Sequence, residues 1–209
     1  MVIVAVHCDA VREAAVFEKR LAAVSPERRQ KVMAQKSPED KRRSLCAALA
    51  LDACLRTVGL RECEQTYITE PHGRPSLAAH PEWYFSLSHS GEYAVCALSN
   101  APVGVDVEKY RPIRAEALAK RYFSADEAET LAALSGKEQE RYFFARWTAK
   151  ESVLKARGVG LGGGLSDAVA KPPFALWEYA LPDHAVCVCG CEEFPKEMLI
   201  FSYDSDLPR

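Results

Sequence analysis

The sequence predicts an α+β chain of two similar-sized lobes, residues 1–101 and 102–209, joined at Asn100-Ala101-Pro102. Three observations carry that prediction. Each half offers helical patterns first or early and then a group of alternating segments. The join falls between two strong strand patterns, Tyr93 to Ser99 and Val103 to Glu108. A length of 209 residues accommodates two lobes of about 100 residues. No convincing internal sequence repeat is present.

Val2 to Val6 reads as a strand. Val11 to Val24 has helical periodicity, with Val16, Phe17, Leu21 and Val24 recurring on one side. Ser25-Pro26-Glu27 and Ser37-Pro38-Glu39 each place a capping serine before a proline at the first helical position. The second of these opens a helix expected to run to about Val58 and stop at Gly59. Its interior, Leu45 to Leu55, is apolar apart from Asp52, which predicts deep burial. Tyr67 to Pro81 is broken by prolines and Gly73 into turns and short strands.

Tyr84 to Ser90 and Tyr93 to Ser99 read as a hairpin turning at Gly91-Glu92. Arg114 to Tyr122 and Ser124 to Leu134 read as helices, the second with Ser124 and Glu127 in a capping box. Lys137 to Arg157 reads as a long helix ended by Gly158, and Gly160 to Gly164 as a flexible turn. The tail alternates over Phe174 to Tyr179, Ala185 to Cys191 and Glu197 to Tyr203, predicting three antiparallel strands.

The composition is that of an ordinary globular protein, 48% hydrophobic and 27% charged. A net charge of −2 argues against nucleic acid as a partner. The start of the chain lacks a basic n-region, and no apolar run approaches the roughly 20 residues of a membrane span. A cytoplasmic location without membrane contact is therefore expected, and a monomer. Eight cysteines are numerous. Cys187, Cys189 and Cys191 would share one face of a strand, and the absence of a second ligand pair favours packing over zinc.

Two segments concentrate candidate chemistry. In Val103-Gly-Val-Asp-Val-Glu108 the valines share one face of a strand, and Asp106 and Glu108 share the other. In Trp147-Thr-Ala-Lys-Glu-Ser-Val-Leu-Lys155, Glu151 and Lys155 stand one helical turn apart. Three carboxylates suit Mg²⁺, which takes oxygen ligands and shares them with phosphate. The same residues equally suit a solvated strand edge beside a surface ion pair.

Phe85-Ser-Leu-Ser-His-Ser-Gly91 gathers hydroxyls and an imidazole at a strand end, where they can donate to a phosphate or serve as ordinary turn residues. A serine-hydrolase reading lacks the Gly-x-Ser-x-Gly elbow. Arg28, Lys31, Lys36, Lys41, Arg42 and Arg43 form a basic helical cluster that, taken alone, reads as a solvated face. Arg74 adds a cation in the rigid Gly73-Arg74-Pro75 turn. Neither a P-loop nor a dinucleotide glycine motif occurs.

Taken in order, these segments resemble the 4′-phosphopantetheinyl transferases of the surfactin-synthetase-activating type. The likeness spans roughly residues 25 to 161, through Ser25-Pro-Glu-Arg28, Arg43, Gly73-Arg-Pro75, the serine-histidine segment, the acidic strand, Phe123-Ser124 to Glu127, and Trp147 to Leu161. The acidic strand and the Trp-Thr-x-Lys-Glu-Ser-x-x-Lys helix are specific as a pair. The resemblance implies a pseudo-dimer of two α+β lobes with the active site in the cleft between them. It implies transfer of the phosphopantetheine arm of coenzyme A to a serine of an apo acyl or peptidyl carrier protein, releasing adenosine 3′,5′-bisphosphate.

By that likeness Asp106, Glu108 and Glu151 would hold Mg²⁺, with Glu151, directly or through a bound water, as the base and Glu127 as a second candidate. Lys155 would neutralise or protonate the departing phosphate. Arg28, Lys31, Arg43, Arg74, Ser88 and His89 would contact phosphates of coenzyme A, with Arg74 and Pro75 near the adenine. The alternatives are a non-catalytic protein that binds coenzyme A or a carrier, and a metal-dependent hydrolase of pyrophosphates.

Overall fold

The computed structural model describes residues 1–160 and 164–202. It stacks helix, sheet, sheet and helix in four layers. The first sheet has the order β4-β5-β1-β9, with β1 at Val2–His7, β4 at Tyr84–Ser90, β5 at Tyr93–Ser99 and β9 at Leu199–Phe201. The second has the order β6-β8-β7, with β6 at Val103–Lys109, β7 at Ala175–Leu181 and β8 at His184–Gly190. A short antiparallel pair, β2 at Tyr67–Thr69 and β3 at Pro75–Leu77, stands apart.

The helices are α1 at Ala14–Ala22, α2 at Pro26–Met33, α3 at Pro38–Arg56, α4 at Ala115–Tyr122, α5 at Ala125–Ala132 and α6 at Gly136–Arg157. The serine caps form as their chemistry requires: the Ser25 hydroxyl accepts from the Arg28 N–H and the Ser37 hydroxyl from the Asp40 N–H. The capping box closes at Ser124 and Glu127. The helix expected from Val11 begins only at Ala14, because Cys8–Val11 forms a separate 3-10 turn capped by His7.

Burial follows the layers. The apolar stretch of α3 covers one face of the first sheet, with Leu45, Leu51 and Leu55 packed on Val4, Val6 and Cys96. The other face of that sheet, carrying Ile3, Ala5, Val95 and Ala97, meets Val103, Val105, Val107, Val186 and Val188 of the second sheet. Each such valine contributes on the order of 1.5–3 kcal/mol when fully buried. Helix α6 closes the far side of the second sheet. Gly104 permits this, since a Cβ there would lie 2.0 Å from the Ser152 carbonyl oxygen.

One expectation is corrected. The tail does not form a three-stranded antiparallel unit. β7 and β8 pair antiparallel in the second sheet, whereas β9 crosses to the first and runs parallel to β1, with Val4 opposite Leu199. β1 still had an open edge beyond β5, and β9 fills it. Leu161 to Gly163 of the glycine-rich turn, and Tyr203 of the last predicted strand, fall outside the described residues. Among the described residues no helix is long and apolar enough to cross a membrane.

Candidate active site

β4 and β6 lie side by side without sharing a backbone ladder, and serine side chains fill the gap between them. Ser86, Ser88 and Ser90 point one way, being two apart on a strand. Their hydroxyls accept from the N–H groups of Val105, Val107 and Lys109 at 3.0, 3.3 and 3.1 Å. The Ser88 hydroxyl then donates to Asp106 Oδ1 at 2.7 Å, and the Ser90 hydroxyl to Glu108 Oε2 at 2.9 Å. These serines therefore hold the acidic strand in place. Ser88, expected at a phosphate, is engaged on Asp106, although it also lines the cavity described below.

Asp106 is 5% exposed, which removes the reading of a solvated strand edge. Burial raises its carboxyl pKa, while the Lys155 ammonium and the Ser88 hydroxyl oppose that rise. Lys155 Nζ reaches Asp106 Oδ1 at 2.7 Å and the Val105 carbonyl oxygen at 3.0 Å. Thus Lys155 pairs across layers with Asp106, and not, as in the alternative of a surface ion pair, with Glu151. Asp106 Oδ2 is buried without a hydrogen-bond partner. Glu151 is half-buried, and its carboxyl is pushed up to about 7 by burial and by the charges of Asp106 and Glu108, against the pull of Lys155. Glu108 is held by Ser90 and by Arg111 at 2.8 Å.

Among the described residues no three His, Cys, Asp or Glu side chains converge to metal-ligating positions. Lys155 acts as the counter-charge on Asp106, so the mutual repulsion of the acids is only partly relieved. Asp106, Glu108 and Glu151 are nevertheless oxygen donors of the kind a hard cation takes: Asp106 carries an orphaned buried oxygen, and Asp106 and Glu108 lie close enough to add to the burial that raises the Glu151 pKa.

Two adjoining cavities open beside this cluster, and Arg28, Leu87 and Lys155 line both. One, of ≈ 500 Å³, is also lined by Lys31, Ser88 and His89. The other, of ≈ 310 Å³, is also lined by Arg74, Pro75, Phe85 and Gly158. The Arg28 guanidinium stacks 4.6 Å from the Tyr67 ring centre, and its Nε and Nη2 are buried without hydrogen-bond partners. Arg74 pairs with Glu70 at 2.7 Å and lies against Gly158, at the carbonyl end of α6. Burial lowers the His89 pKa, with the Arg43 and Lys155 charges adding to it. Burial and the Arg28 charge likewise lower Lys31.

Arg43 and Glu127 both have protein partners. Arg43 pairs with Asp40 at 2.5 Å and reaches the Gly91 carbonyl oxygen at 3.5 Å, so it approaches the site through the turn that follows His89. Glu127 is occupied by the Ser124 N–H at 2.9 Å and by the buried Lys150 ammonium at 2.8 Å. Its pKa is held below the ordinary carboxylate value by these partners despite burial. That arrangement suits a brace between α5 and α6 better than a base. A further cavity of ≈ 450 Å³ beside α6, β7 and β8 contains none of the predicted site residues.

Two cysteines of the run pack on the strand as expected, and Cys191 lies just past its end, partly exposed. Cys187 and Cys189 are fully buried in β8, and burial pushes both thiols up to about 12. Sequence reasoning missed the bracing role of Ser86 and Ser90, the close approach at Gly104, and the Lys150–Glu127 pair. The first two carried a signal, the i, i+2, i+4 spacing of serines and a glycine inside a strand.

Residues 102–178 match the model of the 4′-phosphopantetheinyl transferase superfamily, and residues 12–101 match that of the 4′-phosphopantetheinyl transferase N-terminal region. The 4′-phosphopantetheinyl transferase Sfp of Bacillus subtilis is 30% identical over 205 residues, covering 90% of this chain and 91% of the relative. The chain belongs to the 4′-phosphopantetheinyl transferase family. A second 4′-phosphopantetheinyl transferase of Bacillus subtilis is 35% identical over 77% of this chain and 72% of its own length. The transferase psf-1 of Bacillus pumilus is 38% identical over 71% of this chain and 65% of its own length. The α+β two-lobed architecture accords with this family. 4′-Phosphopantetheinyl transferases move phosphopantetheine from coenzyme A to carrier proteins, and this chain is an enzyme of that kind; nothing found supports a merely binding role.

Proposed function

We propose that this transferase works with Mg²⁺ held by Asp106, Glu108 and Glu151, and that coenzyme A lies in the two cavities joined at Arg28 and Lys155. The observation that carries this reading is the buried, partnerless Asp106 Oδ2 beside a Glu151 carboxyl raised to about 7 by burial and by its acidic neighbours. A bound Mg²⁺ would neutralise pyrophosphate charge and relieve the repulsion among the three acids.

Arg28, Lys31, Arg74 and His89 supply cations or donors from separate elements, as a ligand with several phosphate groups requires. Pro75 offers a flat apolar face for the adenine. Arg43 acts from behind the turn that follows His89. The carrier serine hydroxyl gives its proton to Glu151, directly or through a bound water. The serine oxygen forms its bond to the phosphorus bearing the pantetheine arm, and the bond to the adenosine 3′,5′-bisphosphate oxygen breaks. The Lys155 ammonium offsets the charge on that departing oxygen. Ser88 keeps Asp106 oriented throughout. Glu127 braces Lys150 and takes no part in proton transfer.

The proposed groups all lie in one chain, which supports a monomer as the working form. An apo acyl or peptidyl carrier incubated with coenzyme A and the enzyme should gain the phosphopantetheine mass in Mg²⁺, fail to gain it in excess chelator, and recover it on readdition. Full transfer in chelator would overturn the metal assignment.

A further inference from the structure

Arg28 is 8% exposed, and among the described residues nothing accepts a hydrogen bond from its Nε or Nη2. A buried guanidinium with free N–H groups is costly unless a nearby charge balances it. Glu62, in the 3-10 turn Glu62–Glu64, is wholly buried and lies 3.9 Å from Arg28 Nε. That distance gives charge compensation without a hydrogen bond. Starting from the placement of coenzyme A in the two cavities that Arg28 lines, we propose that Glu62 and Tyr67 are positioning residues. They keep Arg28 charge-balanced yet short of hydrogen-bond acceptors, poised for a phosphate of that substrate.

The hydrogen bonds of Glu62 are committed elsewhere. Its Oε2 accepts from the Ser25 N–H at 2.8 Å. Its Oε1 accepts from the Ser25 hydroxyl at 2.6 Å and from the Tyr67 hydroxyl at 2.7 Å. The oxygen nearest Arg28 Nε thus has a donor for each of its two lone pairs, and the guanidinium is left without one. Burial and the Glu62 charge raise the Tyr67 pKa, so the phenol remains a donor.

The same residues set where Arg28 stands. Its guanidinium carbon lies 4.6 Å from the centre of the Tyr67 ring. The Ser25 hydroxyl that donates to Glu62 also accepts from the Arg28 N–H, so the carboxylate steadies the first turn of α2 as well. Glu62 is anchored in turn: its N–H donates to Asp52 Oδ1 at 2.9 Å, and Arg56 Nε donates to Asp52 Oδ2 at 2.6 Å. This gives a role to Asp52, the one polar residue in the apolar stretch of α3. A phosphate entering either cavity supplies the acceptors that Nε and Nη2 lack, and no hydrogen bond of Nε or Nη2 within the protein has to break first.

Tyr67→Phe tests this, because it keeps the ring beside Arg28 and frees a lone pair on Glu62 Oε1. Arg28 Nε then turns to that oxygen and is diverted from the ligand. The Kd for coenzyme A, measured by isothermal titration calorimetry in Mg²⁺, should rise about fivefold, as for one hydrogen bond. The kcat with apo carrier should stay within about twofold of wild type. In an Arg28→Ala background the same substitution should leave the Kd unmoved. An unchanged Kd in Tyr67→Phe, or an equal rise in both backgrounds, would overturn the positioning role alone. Arg28→Ala binding coenzyme A as tightly as wild type would overturn the placement of coenzyme A and this inference with it. NMR of the ¹⁵N-arginine-labelled protein gives a reading independent of transfer. The Arg28 Nε–H signal, identified by its loss in Arg28→Ala, should shift when coenzyme A is added to the wild type. In Tyr67→Phe it should differ from wild type before any ligand is added. A signal that stays in place in either case would also overturn the proposal.

Discussion

Lys155 Nζ sits 2.7 Å from Asp106 Oδ1, joining the helix that covers the second sheet to the strand at its edge. The pair is well shielded on the Asp106 side, so each partner depends on the other. Asp106→Asn should lower transfer by about 10²-fold or more, because it removes a charge from the centre of the site. Lys155→Ala should mainly lower kcat and leave the KM for coenzyme A nearly unchanged. Steady-state kinetics with apo carrier, alongside circular dichroism to confirm folding, check both. Full activity in Asp106→Asn would remove that residue from the mechanism.

Gly104→Ala tests how closely the helix must approach. The new methyl would meet the Ser152 carbonyl oxygen at 2.0 Å and the Ala156 nitrogen at 2.5 Å. Neither backbone atom can rotate away, so α6 must lift from β6. We expect a loss of about 1–3 kcal/mol in urea unfolding. Activity should fall further than stability does, since Lys155 moves with the helix.

Glu151→Gln should stabilise the metal-free protein at neutral pH. The folded pKa of Glu151 is raised from 4.5 to about 7. A carboxyl with a raised folded pKa favours the folded state most below its unfolded pKa, and that benefit is lost as pH climbs to the folded value. The wild-type protein in chelator should therefore lose stability between about pH 4.5 and 7 relative to the variant, with the two converging at lower pH. Parallel thermal melts across that window decide it. Equal pH dependence in both proteins would rule out the raised Glu151 pKa.

Ser90→Ala removes a donor to Glu108 while leaving the acid itself in place. The Mg²⁺ concentration giving half-maximal transfer should rise about tenfold, as for loss of a group that orients a metal ligand. Saturating Mg²⁺ should restore most of the rate. A lower maximal rate with unchanged Mg²⁺ response would show Ser90 to be only structural.

Arg28→Lys asks whether the guanidinium is held for a ligand. Its Nε and Nη2 lack hydrogen-bond partners, although Nε lies 3.9 Å from Glu62 Oε1 and the plane is fixed over Tyr67. Loss of one charge-assisted hydrogen bond corresponds to about a tenfold rise in the KM for coenzyme A. A KM within twofold of wild type would place Arg28 outside the binding site.

Much of the architecture is legible locally. The β4–β5 hairpin, the serine caps of α2 and α3, the capping box and the Gly158 stop all form where residue chemistry calls for them, because each depends on neighbours a few positions away. The destination of β9 was not legible, since alternation reveals a strand but not its partner. The same limit explains the serines of β4. Their spacing shows a shared face, but only the packing of two sheets places β6 opposite that face. Charge pairing is hidden for a related reason. Lys155 has Glu151 one turn away in sequence, yet it bonds to Asp106, which the sheet brings nearer.

The crossing of β9 has a consequence for how the molecule assembles. The edge of β1 opposite β5 remains unpaired until residues 199–201 have been synthesised, almost a whole chain length after Val2. A ribosome-bound chain therefore carries an incomplete first sheet with one sticky border exposed. Late docking of Leu199–Phe201 acts as a latch, making the amino-terminal half wait for the carboxy-terminal half before it is finished.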